Sequence, residues 1–157
     1  MRVFRIAKRQ FIADLSGEGA RRFGGRWNRR GESVLYTSES RSLATVEYLV
    51  HLSMGILPKD LSIAELEVPD TESLEVIDIS VLPPGWSGFP APPELAEIGS
   101  AWVQGSKSVG LRVPSSVVKG EWNIILNPSN IGFSGVKLLS VEEYEFDQRL
   151  LHKKGES

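Results

Sequence analysis

The segment RRFGGRWNRRGESVLYTSESRSLATVE, Arg21 to Glu47, runs from a Gly/Arg-rich loop through a short strand into an apolar helix. Gly24, Gly25 and Gly31 punctuate the loop from Arg21 to Gly31. Glu32 to Thr37 reads as a strand with Val34 and Tyr36 on one face and Leu35 on the other. Ser38 and Ser40 are both suitable N-caps for a helix starting just after them. Arg41 to Met54 reads as that helix: Leu43, Val46, Leu49, Val50 and Met54 form a wide apolar face, and Ala44, Tyr48 and Leu52 fill much of the rest. Such a helix is expected to be buried on most sides, with Gly55 and Pro58 ending it. Glu47 then stands where a charge is least expected. Unpaired burial would cost on the order of several kcal/mol, so it must be paired, protonated or turned to a cleft.

Outward from this segment, Arg2 to Ile6 reads as a strand, and Lys8 to Ala20 allows a short helix ending near Gly17 or Gly19. Ser62 to Val68 alternates, with Ala64, Leu66 and Val68 inward and Glu65 and Glu67 outward. Leu74 to Ile79 is rich in β-formers. Pro83 to Pro93 is a Pro/Gly/aromatic loop whose Trp86 and Phe89 are expected to pack on the body. Glu94 to Val103 reads as a helix started by Pro92 and Pro93. Gly110 to Pro114, Glu121 to Leu126 and Val136 to Phe146 read as strands, with a turn at Asn130 to Gly135. About seven strands around two or three helices, with no βαβ series, predict an α+β domain over residues 1–151 and a polar tail over 152–157.

Composition bounds the function. The chain has 157 residues, a net charge of −2 and no cysteine, which excludes a disulfide framework and thiolate chemistry. Two histidines, His51 and His152, do not by themselves make a zinc site, so no metal is expected. A satisfied core histidine is the favoured reading of His51. The N-terminus lacks a signal-peptide core and no apolar run is long enough to span a bilayer, so a cytoplasmic protein with no membrane partner is expected. No G-x-G-x-x-G or P-loop spacing occurs.

Charge is nonetheless concentrated: Arg21, Arg22, Arg26, Arg29 and Arg30 fall together, a basic loop suited to phosphate. Arg26 follows a glycine pair that permits close approach of a ligand. Trp27 is placed either to stack on a base or to fill the core. A loop with Phe23 and Trp27 among arginines also fits an RNA-binding or RNA-cleaving module, although the acidic balance leans against it. Tyr36 at a strand end is commonly a packing residue, and Ser115 after Pro114 commonly turn chemistry.

Arg26, Tyr36 and Glu47, then LRVPSS at Leu111 to Ser116, Asn127-Pro128 and FDQRL at Phe146 to Leu150 together resemble the RES-domain family, named for an arginine, a glutamate and a serine. The resemblance implies a bacterial toxin paired with an Xre-type antitoxin, touching nucleic acid only through that antitoxin and compatible with a homodimer inside a larger complex. It implies an ADP-ribosyltransferase-like fold, a split and bent β core with surrounding helices. It implies NAD+ as substrate rather than resident cofactor, with the nicotinamide–ribose bond cleaved by hydrolysis or phosphorolysis. The alternative is mono-ADP-ribosyl transfer to a protein.

On this resemblance Arg26, Tyr36, Glu47 and Ser115 are the catalytic residues, with Ser116 competing for the serine position. Arg26, Trp27, Tyr36 and Asn127 are the NAD+-binding residues. Ser115 is expected beside Glu47. Two departures are visible: a histidine expected soon after Asn127-Pro128 is replaced by SNIGF, and the Trp/Pro-rich loop from Leu82 to Pro93 does not follow the family pattern. The residue types suit the chemistry, since loss of nicotinamide leaves an oxocarbenium-like ribose that a carboxylate stabilises.

Overall fold

A computed structural model describes residues 1–53, 56 and 58–151. Seven strands form one sheet: β1 (Arg2–Lys8), β2 (Leu35–Ser38), β3 (Leu61–Glu67), β4 (Leu74–Val76), β5 (Gly110–Pro114), β6 (Trp122–Leu126) and β7 (Lys137–Tyr144). Their spatial order is β4-β5-β6-β2-β1-β3-β7, and every pairing is antiparallel except β4 with β5. Three α-helices accompany them among the described residues: α1 (Glu18–Phe23), α2 (Arg41–Leu49) and α3 (Pro93–Gly105). The fold is α+β, as the mixed periodicity predicts.

The sheet is not equally knit. β1 pairs with β3 from Arg2 opposite Glu67 to Lys8 opposite Leu61, whereas β1 meets β2 at one registered pair, Phe4 opposite Ser38. The split expected of the core takes the form of this thin seam between β4-β5-β6-β2 and β1-β3-β7.

Period-two alternation feeds two cores. Leu35, Ile124 and Leu126 join Val3, Ala64 and Leu66 on one side of the sheet. Val34, Leu111, Val113 and Ile125 join Trp27, Leu95 and Trp102 on the other, and Tyr36 packs against them. α3 closes the second core tightly: a Cβ added at Gly99 would lie 1.6 Å from the Trp27 carbonyl oxygen. β3 behaves as read, with Ala64, Leu66 and Val68 buried.

Four expectations change. No helix ends at Gly17; α1 begins there, because Gly17 adopts φ 75° as the residue before the helix. Glu18 in the first turn then pairs with Arg21 and Arg22 in the last, which suits the helix dipole. The helix read to Met54 is regular from Arg41 to Leu49, and Met54, Gly55 and the tail from His152 lie outside the described residues. That helix is not buried on most sides: Leu43 and Ala44 are its buried residues and Val50 is exposed. Finally, Trp86 packs against the second core, but Phe89 is 90% exposed.

Candidate active site

The seam opens a cleft of about 190 Å3 lined by Phe4 and Ile6 of β1, Tyr36 and Ser38 of β2, Glu47 of α2 and Asn123 of β6. Its chemistry centres on Glu47. Ser38 lies opposite Asn123 in the β2–β6 ladder, so their side chains share a face. The Ser38 hydroxyl donates to Asn123 Oδ1 at 2.6 Å, which turns the amide nitrogen outward to donate to Glu47 Oε1 at 2.7 Å. Ser115, the residue after β5, donates its hydroxyl to the same Oε1 at 2.6 Å. Its oxygen also accepts the backbone N–H groups of Val117 and Val118, at 3.1 and 3.0 Å. The hydroxyl is thus fully engaged, and its place is to orient Glu47 rather than to attack a substrate. Glu47 Oε2 takes no hydrogen bond from a described residue. One carboxylate oxygen is anchored and the other remains available at a cleft wall.

The expected meeting of Ser115 and Glu47 therefore occurs, and Ser115 rather than Ser116 makes it. Because α2 is half exposed, Glu47 is not a charge marooned in a core. Its position is explained by a lined cleft with two fixed donors.

Tyr36 is held by the loop before it. Its phenol donates to Asn28 Oδ1 at 2.7 Å and accepts the Trp27 N–H at 3.1 Å. Burial pushes the phenol well above its ordinary value, while the Trp27 N–H and the Arg26 charge act weakly the other way. Gly25 is required here by close approach, since an added Cβ would meet the Tyr36 hydroxyl at 2.6 Å. Asn28 is fully buried and fastens the loop through the carbonyls of Ala20, Arg29 and Glu32.

Arg26 is placed differently from expectation. Its guanidinium donates to the carbonyl oxygens of Trp86 at 2.7 Å and Gly88 at 2.9 Å. Burial lowers its pKa, and the negative charge of Glu47 works against that lowering. Arg26 thus feels Glu47 electrostatically while clamping the Pro83–Pro93 loop. The remaining arginines are surface charge: Arg21 and Arg22 pair with Glu18, and Arg29 with Glu97.

Two residues expected to bind NAD+ are elsewhere. Trp27 is 3% exposed in the second core, so its ring offers no stacking face, and the RNA-binding reading loses one of its two aromatics. Asn127 is fully buried four residues beyond Asn123, roughly 13 Å along the strand. Its side chain accepts the Ser129 N–H and donates to the Val103 carbonyl, which is turn chemistry. His51 is exposed and lines the cleft, not the core. The residue that sequence reasoning missed is Asn123. The signal was present: an asparagine, a poor strand former, interrupts the apolar run WNIIL.

The RES domain model matches residues 2–147. The chain belongs to the RES-domain family.

This RES-domain chain is 40% identical over 142 residues to the Prs ADP-ribosylating toxin of Sphingobium sp., covering 89% of this chain and 88% of that protein. It is 35% identical over 155 residues to the Toxin Res of Yersinia enterocolitica, covering 96% and 99%. It is a homologue of these toxins. A chain of the crystal structure of the M. tuberculosis MbcT-MbcA toxin-antitoxin complex matches with a TM-score of 0.74 at 18% identity, over 92% of this chain and 84% of that one, a likeness of fold. The RES motifs have separable roles in the structure. LRVPSS delivers Ser115 to Glu47. FDQRL places Phe146 against Tyr48 of α2 and Tyr144 of β7, backing the wall of the cleft.

Proposed function

We propose that this chain is the toxin of a toxin–antitoxin pair and cleaves the nicotinamide–ribose bond of NAD+ as its substrate. The observation that carries the reading is Glu47, anchored through Oε1 by Ser115 and Asn123 with Oε2 left for a ligand. In the reaction the C–N bond breaks and its electron pair leaves with nicotinamide, which departs as a neutral base and needs no proton. Positive charge builds on the anomeric carbon and ring oxygen of the ribose. A carboxylate already oriented beside that carbon stabilises the charge without reorganising, which is where preorganised electrostatics are most effective. The neutral Tyr36 forms a wall of the same cleft. The new bond to carbon comes from water, which loses a proton, or from phosphate. The setting is the cytoplasm, where NAD+ is plentiful, and the restraining partner is an Xre-type antitoxin.

A second reading is favoured by one finding, the 40% identity to a protein named as an ADP-ribosylating toxin. In it a protein side chain takes the place of water. The two readings share every step up to loss of nicotinamide. The purified chain, free of antitoxin, is expected to release nicotinamide from NAD+, and Glu47→Gln to lower that rate about 100-fold or more. Intact NAD+ after prolonged incubation with wild type, with and without phosphate and with cell lysate, would falsify both. Labelled NAD+ separates them: a labelled protein band marks transfer, and free ADP-ribose or its phosphate marks cleavage.

A further inference from the structure

The cleft at Glu47 does not end at Glu47. Tyr48 and His51 of the α2 side also line a neighbouring basin of about 600 Å3, so the two spaces adjoin. The described rim of that basin carries three cations, Lys8, Arg9 and Lys59, against one carboxylate, Asp60. The topology brings them together. Lys8 ends β1 opposite Leu61, the first residue of β3, so Arg9, Lys59 and Asp60 crowd the same end of the sheet. The Arg9 N–H donates to the Asp60 carbonyl at 2.7 Å, which fixes the backbone there. The Arg9–Asp60 ion pair is loose at 3.4 Å and exposed on both sides, so it detains Arg9 only weakly.

The arginines nearer the cleft are already engaged. Arg26 gives its guanidinium to the Trp86 and Gly88 carbonyls. Arg5 gives its own to the carbonyls of Ile12 and Asp14. The C-terminal end of α2 lies beside the basin and brings a partial negative charge, but three full cations outweigh it.

Resting on the NAD+ reading above, we infer that the basin bounded by Lys8, Arg9 and Lys59 is the seat of the substrate's pyrophosphate. Spacing selects this source of phosphoryl oxygens over an inorganic phosphate acceptor. Tyr48 and His51 lie within one helical turn of Glu47, about 6 Å. One sugar ring separates the cleaved bond of NAD+ from its first phosphate ester, a comparable span. An attacking phosphate would instead have to sit against the anomeric carbon, beside Glu47 itself.

The test is binding by calorimetry to the full chain carrying Glu47→Gln, which is expected not to consume its ligand. Adding Lys8→Gln and Lys59→Gln is expected to weaken NAD+ and ADP-ribose about tenfold or more and to leave nicotinamide riboside, which lacks phosphate, unchanged. Lys8→Arg with Lys59→Arg is expected to restore binding, which separates charge from folding. Equal affinity for ADP-ribose with and without the lysine charges would overturn the assignment, and so would equal weakening of nicotinamide riboside. In the active chain, an unchanged KM for NAD+ with a raised requirement for inorganic phosphate would move the basin to the acceptor and overturn it as well. NAD+ left uncleaved by wild type while ADP-ribose still binds through the lysines would sink the proposed reaction and keep the basin. Cleavage indifferent to Lys8 and Lys59 would do the reverse.

Discussion

Glu47 and Arg26 enter the sequence as equal members of one motif, and the structure treats them in opposite ways. Glu47 receives two hydrogen bonds on one oxygen from β6 and from the residue after β5, and keeps the other oxygen for the cleft. Arg26 has donors spent on two backbone carbonyls of the Pro83–Pro93 loop. The Glu47 side is a side-chain network built on paired strands. The Arg26 side is a loop fastened to another loop. Rigid elements give the carboxylate a fixed geometry, which suits charge stabilisation. The arginine instead fastens the Pro83–Pro93 loop to the loop before β2.

Three changes press on that contrast, the most damaging first. Asn123→Asp removes the donor to Glu47 and sets a second carboxylate against Oε1, where two negative charges cannot both persist near neutrality. Release of nicotinamide from NAD+ is expected to fall about 100- to 1000-fold while the thermal transition stays cooperative. A wild-type rate in that variant would remove Asn123 from the positioning of Glu47.

Arg26→Ala tests the clamp. Hydrogen bonds to a charged donor contribute about 1.5–3 kcal/mol, so amide exchange over residues 86–89 is expected to quicken about tenfold or more. Exchange around Asn123 and Ser115 should hold steady. If the loop exchanges at the wild-type rate, the two carbonyl contacts restrain nothing and the contrast collapses.

Tyr36→Phe has the smallest expected effect, about 1–2 kcal/mol, from the lost bonds to Asn28 and the Trp27 N–H. Its signature is in the pH dependence. The folded phenol titrates above the unfolded value of 10.0, so its contribution is complete below pH 10 and is lost as pH rises toward the folded value. Urea midpoints measured on either side of pH 10 should fall less in Tyr36→Phe than in wild type. Equal slopes would mean that the hydroxyl is not held as described.

Legibility in the sequence varies by residue. Strands β3, β5 and β6 are readable from alternation and turn residues, because a strand's faces repeat every two residues whatever it pairs with. The start of α1 is not, because a glycine of positive φ serves either end of a helix, and only the neighbours in space decide which. Ser115 is legible as part of LRVPSS, yet its bond to Glu47 joins residues 68 positions apart. Asn123 stands in plain view as the polar residue of an apolar strand, but nothing local says that its register partner is Ser38 and its acceptor Glu47. Trp27 is assigned to a ligand by residue type and Asn127 by the resemblance; packing places the first in the second core and the second in a turn.

The sequence by itself determined the α+β class, most of the strands, the RES family and the identity of Glu47 as the carboxylate to watch. The class and the strands rest on short-range periodicity, Glu47 on its residue type within an apolar pattern, and the family on the resemblance of its ordered motifs. Tertiary structure alone decided that α2 is half exposed, that the β1–β2 seam opens, that Asn123 and not Asn127 hydrogen-bonds Glu47, and that Arg26 holds a loop. The reason is physical: a side chain's free donors and acceptors are what remains after its neighbours in space have taken theirs, and those neighbours come from distant parts of the chain.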